Sequence, residues 1–144
     1  MHIVIAGGGL TGLSAALELN DHQVTIIDAR QEIGSPTRSP GYISDISLIP
    51  IDEFEFLQLK GNCFRRSWLE KQMAIQAIEN GVEIIVKTRI VGFQDGFNLR
   101  GAGAGSLSSI KGDVYIDALG NKSLYPGWSG DSGVIDDIEM IRPP

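Results

Sequence analysis

Residues 3–13, Ile3-Val4-Ile5-Ala6-Gly7-Gly8-Gly9-Leu10-Thr11-Gly12-Leu13, hold an apolar run that stops at close-set glycines and restarts as a helix. Ile3 to Ala6 is apolar on both faces, as a central parallel strand must be. Gly7, Gly9 and Gly12 follow with GxGxxG spacing, and Leu13 to Leu19 carry helical character. Val24-Thr25-Ile26-Ile27 is a β-branched run closed by Asp28, 21 residues after Gly7. Each position has a physical task in holding the adenosine diphosphate half of a dinucleotide. Gly7 permits the turn off the strand, Gly9 lets a pyrophosphate approach the backbone, and Gly12 lets the helix pack against the sheet. The free N–H groups and dipole of the helix start face the phosphates. Asp28 is placed to accept from the adenosine ribose hydroxyls, and its charge disfavours a 2′-phosphate. Glycines alone would be a weak signal. Strand, turn, helix, second strand and acid in one register are a specific one. Leu10 and Thr11 at the helix start and Ala29 beyond the acid complete the contact set read from this unit.

Composition narrows the function classes. A chain of 144 residues is one domain by length, and its 42% hydrophobic content is that of a soluble globular protein. A formal net charge of −6 disfavours nucleic acid and anionic membranes as partners. The single cysteine, Cys63, excludes an internal disulfide and fits a reducing, cytoplasmic setting. No apolar stretch reaches the roughly 20 residues of a spanning helix. The apolar N-terminus has no basic region before it, so it reads as the first strand and not as a signal peptide. One Cys and two distant His give no metal constellation, and no nucleophile–base pair can be argued.

Beyond Asp28, Pro36, Pro40 and Gly41 predict an irregular loop from Ala29 to about Ser44. Residues 46–60 predict one or two short strands. Ser67-Trp68-Leu69-Glu70 has the form of a capping box, and Leu69, Met73, Ala74, Ala77 and Ile78 make an apolar helical stripe that Asn80-Gly81 stops. Val82 to Val86 predicts a third parallel strand. Ile90–Phe93 and Phe97–Leu99 flank Asp95-Gly96 as a small β-hairpin insertion. The glycines of residues 101–105 lead into Ser-rich sequence instead of a helix, and predict a flexible connection and not a second phosphate site. Val114-Tyr115-Ile116 returns as a strand. The expected fold is α/β, a Rossmann-like doubly wound parallel sheet.

Three segments resemble the FAD-dependent oxidoreductases of the para-hydroxybenzoate hydroxylase type, and among them the archaeal geranylgeranyl reductases. The first is the fingerprint with Gly7, Gly9, Gly12 and Asp28, continued by Glu32-Ile33-Gly34-Ser35-Pro36-Thr37-Arg38-Ser39, which is similar to a Gly-x-Pro-x-Arg-Cys loop beside the flavin. The second is Arg66-Ser67-Trp68-Leu69-Glu70, similar to an Arg-x-x-Phe-Asp helix opening. The third is Asp117-Ala118-Leu119-Gly120-Asn121-Lys122-Ser123, similar to an Ala-Asp-Gly-x-x-Ser turn near the cofactor. The resemblance implies FAD as cofactor, hydride transfer through reduced flavin, and cofactor contacts from Arg38, Arg66 and Gly120. Two departures stand out: Ser39 takes the place of the family's Cys, and Leu119 the place of its acid.

The family continues for a further half that carries a substrate sheet and a Gly-Asp motif; Tyr125-Pro126-Gly127-Trp128 before Gly130-Asp131 is not the apolar strand which that motif leaves. The expectation is therefore one FAD-binding domain over residues 1–144 without the substrate domain, completed by a second polypeptide or a second copy. Arg38 has two readings, surface arginine or donor to phosphate or flavin. Arg66 also has two, a local pair with Glu70 four residues on or a cofactor contact. The fingerprint alone leaves two other functions open: an NAD-binding oxidoreductase domain and a non-catalytic adenine-nucleotide-binding protein.

Overall fold

The computed structural model describes residues 1–36, 40–51 and 62–124. Its centre is a four-stranded parallel sheet in the order β5-β2-β1-β9. β1 (His2–Ala6) pairs with β2 (Gln23–Ile27) on one side, from His2 opposite Gln23 to Ala6 opposite Ile27. On its other side it pairs with β9 (Val114–Asp117), from Ile3 opposite Val114 to Ala6 opposite Asp117. β5 (Glu83–Ile85) lies outside β2. The chain thus winds outward from β1 to β2 and β5, then returns across β1 to β9. That reversal makes the carboxyl end of β1 the topological switch point, where such sheets bind ligands.

Alternation along the strands divides the core in two. Ile3, Ile5, Val24 and Ile26 pack with Leu13, Ala16 and Leu17 of α1 (Leu10–Glu18) and with Leu69, Met73 and Ala77 of α2 (Arg66–Glu79). Val4, Ala6 and Ile27 face the other way, onto Ile90, Phe97 and Leu99. Both helices therefore cover one face, and an antiparallel sheet of β6 (Arg89–Phe93), β7 (Phe97–Arg100) and β8 (Ser109–Ile110) covers the other.

Several local expectations change. The predicted hairpin gains a third strand, β8, because residues 101–105 are not a flexible link. A Cβ on Gly101 would lie 2.2 Å from the Lys87 carbonyl oxygen and one on Gly103 would lie 1.7 Å from that of Val86. These glycines let the connection press against the chain leaving β5. Within the loop predicted to be irregular, Pro40–Tyr42 forms β3 and pairs antiparallel with β4 (Cys63–Arg65). Pro opens this short edge strand at the first position, where its missing donor is tolerated, and Gly41 leaves room for the Phe64 ring. Residues 46–48 form a 3₁₀ turn in place of a strand, started by Asp45, whose carboxylate accepts from the Ser47 N–H; residues 49–51 form no strand either, and the rest of the predicted strand region, 52–60, lies outside the described residues, as do Tyr125 onward. No helix among the described residues is long and apolar enough to cross a membrane.

Candidate dinucleotide site

The three glycines of the fingerprint answer to different demands. Gly7 sits at φ +104°, and a Cβ there would lie 2.6 Å from the Ala118 carbonyl oxygen. A Cβ on Gly12 would lie 1.9 Å from the Gly7 carbonyl oxygen. The fold itself therefore requires both. Gly9 is different: it is the N-cap of α1 at φ −79°, and a Cβ built on it meets nothing within 4 Å. Neither backbone conformation nor packing explains the missing side chain. The space in front of Gly9 is open, and a Cβ there would project into it.

That space lies at the end of α1. The first bond of the helix runs from the Leu13 N–H to the Gly9 carbonyl, 2.9 Å. The N–H groups of Gly9, Leu10, Thr11 and Gly12 precede it and have no acceptor within the helix. They present donors and the positive end of the helix dipole to an anion. No side chain caps this end.

Asp28 follows β2 and is buried. Its Oδ2 accepts from the Gly8 N–H at 2.7 Å. Arg30 then grips the same carboxylate: its backbone N–H reaches Oδ1 at 2.8 Å, Nε reaches Oδ1 at 2.9 Å, and Nη2 reaches Oδ2 at 3.0 Å. Burial raises the Asp28 pKa, but the bonds from Arg30 and Gly8 and the Arg30 charge outweigh it, holding the group below the ordinary carboxylate range. Arg30 is shifted the opposite way, above its ordinary value, chiefly by its bond to Asp28.

The network continues into α2. Arg30 Nη1 donates to Glu70 Oε2 at 2.8 Å, and Arg66 Nε donates to Glu70 Oε1 at 2.9 Å. Glu70 is fully buried, so its charge relies on these two partners. This corrects the capping-box expectation. Ser67 is not the N-cap; the helix opens at Arg66 after Arg65, with no side-chain cap bond. Glu70 serves two guanidinium groups, which hydrogen-bond a carboxylate more strongly than a backbone N–H does. The local pairing of Arg66 with Glu70 is present, and the Nη groups of Arg66 have no partner among the described residues.

The third segment closes the site from the β9 side. The Ala118 N–H donates to the Ala6 carbonyl at 2.8 Å, which sets this turn beside Gly7. Asp117 holds it in shape, accepting from the Leu119 N–H, the Ser123 hydroxyl and the Leu124 N–H. Gly120 adopts φ +62° in open space. Gly34, at φ +82°, lies where a Cβ would be 2.5 Å from the Ser67 carbonyl oxygen, so the loop after β2 packs on the first turn of α2. Gly7, Gly9, Leu10, Thr11, Gly12, Asp28, Ala29 and Gly120 thus gather at the carboxyl end of the sheet, and Arg66 joins them through Glu70 and Arg30. Arg38 lies outside the described residues.

No family model matches the sequence. Solved structures do match the fold. A geranylgeranyl bacteriochlorophyll reductase-like protein from Thermoplasma acidophilum superposes with a TM-score of 0.65 at 19% identity, over 81% of this chain and 38% of its own. The Diels-Alderase PyrE3 of pyrroindomycin biosynthesis gives 0.59 at 20% identity, over 85% and 33%. THI4 from Thermovibrio ammonificans gives 0.51 at 16%, over 76% and 52%. The chain has a Rossmann-like fold, shared with these proteins. It spans between 33% and 52% of the length of these three proteins.

Within this Rossmann-like fold, sequence reasoning missed two features. The first is Arg30 with Glu70. Arg30 stands two residues after the acid, but its bond to Glu70 crosses 40 positions and has no sequence pattern to mark it. The second is a cavity of about 270 Å³ beside Ala29, walled by Ile27, Ile90 and Leu119 with the exposed Arg89 and Lys122 among its lining residues. It sits where β2 and β9 end, with Thr88 also in its lining. A larger, open groove of about 420 Å³, lined by Ile33, Ala74, Ile75, Ile78, Ile84 and Val86, runs between α2 and β5. Among the described residues no group of three or more His, Cys, Asp or Glu side chains could hold a metal ion.

Proposed function

We propose that residues 1–144 form a single FAD-binding domain of a flavin-dependent oxidoreductase similar to the geranylgeranyl reductases. The observation that carries the reading is Gly9, a glycine that neither packing nor its φ requires, set before the open N–H groups of α1. In this reading the pyrophosphate lies on Gly9, Leu10, Thr11 and Gly12. Ribose lies against Asp28 and Ala29, and adenine fills the cavity beside Ile27, Ile90 and Leu119. Arg66, whose Nη groups have no partner among the described residues, offers donors toward cofactor phosphate, and Gly120 lets the turn after β9 pass close to the flavin. The three sequence segments and the likeness in fold favour FAD over other dinucleotides. Bound flavin supplies two-electron hydride chemistry; the residues described here bind and orient it.

The described geometry supports only the reading of an adenosine diphosphate half, which NAD shares, so an NAD-binding oxidoreductase domain is the second reading. A non-catalytic adenine-nucleotide-binding role is the third. In the leading reading the substrate contacts come from polypeptide outside these residues, whether in the same chain, a second polypeptide or a second copy. Titration calorimetry on the purified 144-residue chain tests it. ADP is expected to bind within about tenfold of FAD, a difference of ~1.4 kcal/mol. FAD about a thousandfold tighter than ADP, in a verified monomer, would show that this chain encloses the flavin itself. A chain that binds ADP and NAD but gives no flavin absorption after incubation with FAD would exclude the flavin assignment.

A further inference from the structure

Gly8 is held on both sides by one ion pair. Its N–H donates to Asp28 Oδ2 at 2.7 Å, and its carbonyl accepts from Arg30 Nη2 at 2.8 Å. That carbonyl belongs to the same planar peptide unit as the Gly9 N–H. Fixing the oxygen therefore fixes the direction in which the Gly9 N–H points. Arg30 is fixed in turn: its Nε and Nη2 lie on Asp28, and Nη1 lies on the fully buried Glu70. Four of its five N–H donors are thus spent within the protein.

We infer that Arg30 is a positioning residue for the dinucleotide pyrophosphate, aiming the Gly9 N–H through the Gly8 carbonyl, and that Glu70 is the buried anchor that holds Arg30 in place. Arg30 touches no ligand in this arrangement and acts through the Gly8–Gly9 peptide. Glu70 couples the phosphate loop to the start of α2, because the same carboxylate carries Arg66. The inference rests on the proposed dinucleotide site and assigns the residues that shape it.

The test compares ADP with adenosine, which lacks the phosphates, on the 144-residue chain. Calorimetry follows ADP, and NMR titration follows the weaker adenosine. Arg30→Met keeps length and removes every donor. Glu70→Gln keeps volume and one acceptor oxygen. Arg30→Met is expected to weaken ADP by about tenfold or more and Glu70→Gln by about threefold, with adenosine moving less than about twofold in both. Unchanged ADP affinity in both variants overturns the inference. So does a parallel loss for adenosine, which would mark a general loosening of the pocket. If Arg30→Met does not fold, Glu70→Gln decides alone. The underlying site fails by a different result: wild-type chain that does not bind ADP, or a Gly9 variant that binds it normally.

Discussion

Gly9→Ala separates the proposed site from the fold, because neither packing nor a positive φ requires a glycine here. The new Cβ meets nothing within 4 Å, and φ −79° is open to any residue. Ala is a poorer N-cap than Gly, so a loss of up to ~1 kcal/mol is expected, a fall of about 4 °C in Tm for a domain of this size. Binding should respond far more. The methyl group would occupy the volume where a phosphate oxygen meets the helix-start N–H groups. Losing two charge-assisted hydrogen bonds of ~1.5–3 kcal/mol each removes at least ~3 kcal/mol, more than a hundredfold in Kd. Gly9→Val, with a larger obstruction, should leave no measurable binding. Thermal melts and calorimetry with ADP on the same preparations give both quantities. If Gly9→Ala melts within a few degrees of wild type and binds ADP within about twofold, the pyrophosphate does not lie on this loop and the proposed site is wrong.

Gly12→Ala should behave oppositely to Gly9→Ala. Its Cβ would lie 1.9 Å from the Gly7 carbonyl oxygen, so overpacking of ~2 kcal/mol or more should appear in denaturant melts before any ligand is added. Asp28→Ala should weaken ADP by roughly 1–3 kcal/mol. Because it also releases Gly8 and Arg30, the loss for 2′-deoxy-ADP should be at least half as large on a free-energy scale; no loss for the analogue would show that the clamp does not matter to binding. Acid should destabilise the domain through the same residue. The folded-state pKa of Asp28 is lowered from 3.8, so its contribution is fully present above that value and disappears as pH falls through the folded pKa. Asp28→Asn should therefore flatten the stability curve below about pH 4, measured by chemical unfolding across pH.

The strands of the parallel sheet and the glycine turn were legible because their signals are local. Ile3 to Ala6, Val24 to Ile27 and Val82 to Val86 are short apolar runs bounded by turn residues, and the glycines lie at a spacing with one mechanical purpose. What was illegible depended on distant partners. Pro40-Gly41 reads as a loop until Phe64 lies over Gly41 and Cys63–Arg65 pairs with Pro40–Tyr42. Gly101 to Gly105 reads as slack until the carbonyls of Val86 and Lys87 are seen against it. Glu70 looked like half of a capping box because Ser67 stands three residues before it. The competing claim came from Arg30, on another element, which no periodicity could announce.

That same arginine changes the argument about cofactor choice. Taken alone, Asp28 disfavours a 2′-phosphate by charge. In the fold, Arg30 lies on both carboxylate oxygens at 2.9 and 3.0 Å, and the pair carries no net charge. Each oxygen already accepts two hydrogen bonds, which fills the ordinary capacity of a carboxylate. A ribose hydroxyl donating there shares an oxygen instead of finding a vacant one, so the acid discriminates less sharply than its position suggests. Its larger service is to hold Gly8. In the proposed site, selection among dinucleotides would then fall to groups that meet the other half of the ligand, for which the turn at Gly120 is the candidate.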